Sequence, residues 1–143
     1  MFLDASVIIA VLAGESEAIA LKAAMIDAET MATSQVAIFE ASCRLSKLRG
    51  LPVADAHFEV LDFLQILAVE TVHIDDDVGA AAHACAARYH HITGHPARLN
   101  MGDCFAYAAA RTSGLKLAYK GNDFIHTDID GVRFGPDDVP TRP

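Results

Sequence analysis

Along the chain, short unbroken apolar runs alternate with longer stretches whose apolar positions recur at helical spacing. The first run, Met1-Phe2-Leu3, ends in Asp4 and reads as a buried strand over residues 1–4. A short helix over 5–13 follows and stops near Gly14. A second helix is expected from 16 to about 28, with Ile19, Ala23 and Ile26 as its core-facing stripe. Residues 31–33 form the second strand. Thr33 or Ser34 then caps a helix over 35–49, whose inner face is Ile38, Ala41, Leu45 and Leu48 and whose stop is Gly50. Pro52 opens a helix from 53 to about 67, in the first-turn position that proline favours. Residues 69–73 make the third strand. Asp75-Asp76-Asp77 starts an alanine-rich helix to about 90, three acids that complement its dipole. Beyond a loop at 93–96, Gly102-Asp103 opens a helix over 104–112 that Gly114 closes. The fourth strand is 115–119, residues 120–127 are a turn or one helical turn, the fifth strand is 131–134, and the tail is rich in Pro and Asp. Alternating strands and helices, with no repeat and no linker, predict a single α/β domain over 1–143: a three-layer sandwich around a mostly parallel sheet of about five short strands.

Composition narrows the class. The chain is 52% hydrophobic, yet no apolar run reaches the length of a membrane span. Asp4 interrupts the apolar start, so no secretory signal pattern forms. Cys43, Cys85 and Cys104 are odd in number, widely spaced and set in Ala-rich segments. They read as small core residues of a protein in a reducing cytoplasm. The formal net charge of −8 argues against a broad non-specific nucleic-acid binder. It does not exclude a nuclease, whose metal ions invert the field of an acidic site, and it suits a basic partner.

Four acids stand out by position. Asp4 ends the first strand, Glu40 lies in the first half of its helix, Asp103 opens the late helix, and Asp123 follows the fourth strand. A parallel sheet delivers its strand ends to one edge, where ligands bind, and the helices that begin there add their first turns. Carboxylates crowded together repel one another, and a hard divalent cation with oxygen preference relieves this. Each acid also has a plainer reading. Asp4 and Asp103 suit helix caps, Glu40 has Arg44 and Lys47 on its face, and Asp123 sits in Gly121-Asn122-Asp123 turn chemistry. His90, His91 and His95 suggest a transition-metal site, but Gly94 and Pro96 break the alignment and favour a loop cluster.

The opening Met1-Phe2-Leu3-Asp4-Ala5-Ser6, Glu40 in its helix, the block Leu99-Asn100-Met101-Gly102-Asp103-Cys104-Phe105-Ala106-Tyr107-Ala108, and Leu117-Ala118-Tyr119-Lys120-Gly121-Asn122-Asp123-Phe124 resemble the PIN-domain family, and within it the VapC-type toxins. The likeness runs through essentially the whole chain in the same order. It implies Mg²⁺- or Mn²⁺-dependent endoribonuclease cleavage, usually of transfer or ribosomal RNA, by the toxin of a toxin–antitoxin module that arrests translation and growth. Asp4, Glu40 and Asp103 match the family's three core acids. Asp123 is the fourth by assignment, with Asp128 the alternative, because Gly121 stands where many relatives carry an acid. Asp4, Asp103 and Asp123 would hold the metal, with Ser6 and Asn100 supporting them. Arg44, Lys47, Arg49 and Lys120 are the candidate RNA-backbone contacts. A VapB-type antitoxin and a homodimer are the implied protein partners. A catalytically inactive PIN module and a housekeeping PIN nuclease are the alternatives.

Overall fold

The computed structural model describes residues 1–135, so the Pro- and Asp-rich tail lies outside the described residues. In chain order the elements are β1 (Phe2–Leu3), α1 (Ala5–Leu12), α2 (Ala18–Asp27), β2 (Ala32–Ser34), α3 (Gln35–Arg49), α4 (Val53–Ile66), β3 (Glu70–Val72), α5 (Asp76–Tyr89), α6 (Met101–Ser113), β4 (Leu117–Lys120) and β5 (Gly131–Phe134). Single 3-10 turns at His91–Thr93 and Phe124–His126 fill the two longest connections among them.

The sheet is wholly parallel, in the order β3-β2-β1-β4-β5. Phe2 is in register with Ala32 on one side and Leu117 on the other. Strand alternation splits the core in two. Phe2, Leu117 and Tyr119 pack with α5 and α6, while Leu3 and Ala118 pack with α1, α3 and α4. The result is the expected three-layer arrangement. Strand order reverses direction around β1 and β4, a topological switch point, and open parallel sheets bind ligands beyond the strand ends at such a point.

Local chemistry sets the helix limits. Asp4 caps α1 by accepting from Ser6 N, Ser34 caps α3 by accepting from Ala37 N, and Asp75 caps α5 by accepting from Val78 N. Gly50 and Gly114 close α3 and α6 in the left-handed conformation. Two helix faces differ from expectation. In α2 the inward stripe is Ala18, Leu21 and Met25, whereas Ile19 and Ile26 are 83% and 77% exposed. The segment is apolar on most sides, so two stripes fit helical spacing equally and only docking chooses. In α3 Leu48 also faces out, since the last turn overruns the core that buries Ile38, Ala41 and Leu45. The late helix starts at Met101 rather than 104, because Asn100 is its cap and Asp103 its third residue. Cys85 and Cys104 are buried as expected, and Cys43 is half-buried. Among the described residues no helix is long and apolar enough to cross a membrane.

Candidate active site

Asp4 stands one residue beyond β1, at the switch point, and is buried. Its Oδ2 accepts from Ser6 N at 3.1 Å and from Ser6 Oγ at 2.5 Å. Ser6 Oγ in turn accepts from the backbone N of Lys120 at 3.0 Å, tying the end of β4 to Asp4. Asp4 is therefore a helix cap whose side chain also lines an acidic cavity.

Asp103 arrives from the opposite helical layer. α6 precedes β4, so it runs against the strands and its first turn lies at their carboxyl edge. A reciprocal capping box locks that turn: Asn100 Oδ1 accepts from Asp103 N at 2.9 Å, and Asp103 Oδ2 accepts from Asn100 N at 3.0 Å. Glu40 comes from the second turn of α3, in the layer across the sheet. Its carboxylate lies against Gly102, where a Cβ would approach Oε2 to 2.5 Å. Asp123 follows β4 and is exposed at the rim.

Asp4, Ser6, Glu40, Asn100, Asp103 and Asp123 all line one cavity of about 300 Å³. Its electrostatics record the crowding. Burial, the largest cause, pushes the Asp103 carboxyl up to about 7, and the charges of Asp4, Asp123 and Glu40 add to the rise against the Asn100 N–H. Burial raises Asp4 too, opposed by the Ser6 hydrogen bonds. Burial and the Asp4 charge raise Glu40, and Arg44 pulls it back. Partial burial raises Asp123, again against Arg44. Four carboxyls that are all shifted upward mark a site short of positive charge.

Among the described residues, no three acid, thiol or imidazole groups converge as a finished cation cage. A small hard cation does not need one. Mg²⁺ binds through one or two carboxylates and keeps most of its waters. The all-oxygen donors and the surplus of negative charge fit such an ion.

The remaining sequence candidates divide. Asp128 is not in this cavity. It accepts from Tyr107 Oη at 2.5 Å and pairs with Arg88 at 3.1 Å and Arg111 at 3.3 Å, which hold its carboxyl far below the usual range. Gly121 lines the cavity with φ +97°, a conformation an acid would adopt only under strain, and Arg133 Nε donates to its carbonyl. Arg44 lines the cavity. Lys120 does too, but its ammonium sits on Glu15 and on Glu17 at 3.0 Å, so the RNA contact expected of it competes with two carboxylates. Lys47 is exposed in the last turn of α3, away from the cavity lining, and Arg49 pairs with Glu59 at 2.6 Å. His90 caps the 3-10 turn through Ile92 N, a structural task. Sequence reasoning missed Gly102, Glu15 and Glu17, whose roles depend on neighbours remote in the chain.

The family model described as PIN domain matches residues 1–130. The chain is 42% identical over 139 positions to a VapC ribonuclease of Rhizobium meliloti, covering 90% of this chain and 98% of that one. It is 34% identical over 129 positions to ribonuclease VapC42 of Mycobacterium tuberculosis, covering 90% and 96%. Its fold is similar to the crystal structure of Mycobacterium tuberculosis VapC20, a sarcin-ricin loop cleaving toxin, with a TM-score of 0.66 at 20% identity over 87% of this chain and 91% of that one. It is also similar to a chain of a toxin–antitoxin complex from Klebsiella pneumoniae, with a TM-score of 0.61 at 18% identity over 87% and 89%.

Proposed function

The chain belongs to the PIN domain family, among the VapC proteins, and from that premise we propose that it is a divalent-metal-dependent endoribonuclease, the toxin of a toxin–antitoxin pair. The observation that carries this is the meeting of Asp4, Glu40, Asp103 and Asp123 from both helical layers in one cavity at the switch point of the sheet.

Asp4, Asp103 and Asp123 would hold Mg²⁺ or Mn²⁺. When bound, the ion supplies a water of lowered pKa and offsets charge on the phosphate. The protein's own part is positional. Ser6 fixes the Asp4 carboxylate, the Asn100 capping box fixes Asp103, and Gly102 leaves room for Glu40. Glu40 orients the attacking water and receives its proton, a role that its raised carboxyl favours. Arg44, at the cavity wall, contacts the RNA backbone.

Transfer or ribosomal RNA is the substrate class, and a structured loop is its form. A VapB-type antitoxin is the partner. The outward apolar side chains Phe58 and Ile66 of α4 and Ile19 and Ile26 of α2 give it an apolar surface to cover. The toxin itself pairs as a homodimer in the cytoplasm. The intact Asp4, Glu40 and Asp103 weigh against a binding-only module.

The test is cleavage of total RNA by the purified chain with Mg²⁺, with Mn²⁺ and with EDTA. Cutting that needs the metal and disappears in Asp4→Asn supports the reading. Cutting in EDTA, or an undiminished Asp4→Asn, rejects it. Asn is as good a cap as Asp, so that variant keeps α1.

A further inference from the structure

Beside the acidic cavity lies a second, mostly apolar one of about 330 Å³, between α3 and the first turn of α6. The two share Glu40, Arg44 and Asn100, so they form one continuous surface. The apolar walls of the second are Val36, Phe39, Cys43 and Met101. Phe39 is 71% exposed and Met101 65% exposed. The buried face of α3 is Ala37, Ile38, Ala41, Ser42 and Leu45, so Phe39 lies outside the core that the described residues form.

Resting on the ribonuclease reading, we propose that this cavity receives an unpaired nucleobase adjacent to the scissile phosphate, with Phe39 as its stacking surface and Met101 as a second apolar wall. Metal and phosphate chemistry need only oxygens and positive charge, and neither accounts for two large apolar side chains left in water beside four carboxylates. A nucleobase does. It is flat and apolar on its faces, and the sugar ties it to the anion that must reach the acidic site. Phe39 precedes Glu40 in α3, and Met101 stands between Asn100 and Gly102 in α6, so the platform and the site share the same rigid turns. Arg44 lies where the two cavities join and serves the connecting phosphate. Bases displayed by single strands and loops stack on aromatic side chains in this manner, tolerant of sequence. A protein segment is the competing occupant. The continuity with the acidic site favours the base.

The chain contains no tryptophan, so Phe39→Trp in the Asp4→Asn background carries a single tryptophan, excited selectively over the tyrosines, and does not consume RNA. Titration with a short single-stranded RNA of random sequence is expected to quench it, and the same backbone built of abasic nucleotides is expected to leave it bright. In cleavage of random-sequence RNA by the otherwise unaltered chain, Phe39→Ala is expected to lower kcat/KM about ten-fold or more, through KM, with Phe39→Tyr restoring it. Equal quenching by the abasic strand, or a Phe39→Ala chain that cleaves as the parent does, overturns the proposal. Quenching by a basic peptide and not by RNA overturns it as well and gives the cavity to a protein partner. A parent chain that cleaves no RNA counts against the ribonuclease reading, while the fluorescence titration still decides the base.

Discussion

The Glu40 carboxylate rests on the bare Cα of Gly102, so closely that a Cβ there would stand 2.5 Å from Oε2. The contact joins the two helical layers across the carboxyl edge of the sheet, and it is what sets Glu40 beside Asp103. Gly102 lies inside α6 without a positive φ, so its Cβ-free character serves the neighbour and not the backbone.

Gly102→Ala should therefore separate stability from activity. Alanine favours the helix by up to about 1 kcal/mol over glycine, so thermal stability should hold or rise. The displaced Glu40 should cost RNA cleavage on the order of 10- to 100-fold. Adding Glu40→Asp, which shortens the side chain, should recover part of the loss. Melting curves and cleavage rates of the three variants check this, and full activity in Gly102→Ala would remove Gly102 from the site.

The raised Asp103 carboxyl gives the metal-free protein an unusual pH response. Between the ordinary aspartate value of 3.8 and about 7, the folded state holds a proton that the unfolded chain has released. Stability must then fall as pH rises through that window and be lowest above it. Chemical denaturation in EDTA should show it, and Asp103→Asn should flatten the slope and raise stability at pH 8. Mg²⁺ should raise the melting temperature of the parent chain at pH 8 and do little for the variant.

Ser6 links Asp4 to β4 and favours the ionised carboxylate. In Ser6→Ala the Asp4 carboxyl should rise further, and a proton should compete better with the metal. Mn²⁺ affinity by titration calorimetry is expected to fall by about 10-fold, more at pH 6 than at pH 8. An unchanged affinity would reduce Ser6 to a packing residue.

Asp128 should behave as a brace and not as a ligand. Its carboxylate gathers Tyr107, Arg88 and Arg111, and its own N–H donates to Tyr89 Oη. The network is partly exposed, so Asp128→Ala should cost only about 1 kcal/mol of stability. Because its pKa is lowered, the contribution is present above the ordinary aspartate value and lost in acid. Mn²⁺ affinity should be retained, whereas Asp123→Asn should weaken it.

The sequence by itself determined the element order, the parallel three-layer class and the first and last residues of α3 and β5. These follow from apolar periodicity, capping residues and glycine stops, which act over a few positions. It also singled out Asp4, Glu40, Asp103 and Asp123, since each lies where a parallel topology exposes strand ends and helix starts. It left the faces of α2 open, because a helix apolar on most sides has no preferred inward stripe until it docks. Only the tertiary structure decided that Asp128 is held elsewhere by Tyr107 and two arginines, that Lys120 is committed to Glu15 and Glu17, and that Gly102 makes room for Glu40. Those relations join residues from 17 to more than 100 positions apart, and no local pattern encodes such a distance. They arise when the switch point of the sheet brings β1, α3, α6 and β4 to one edge.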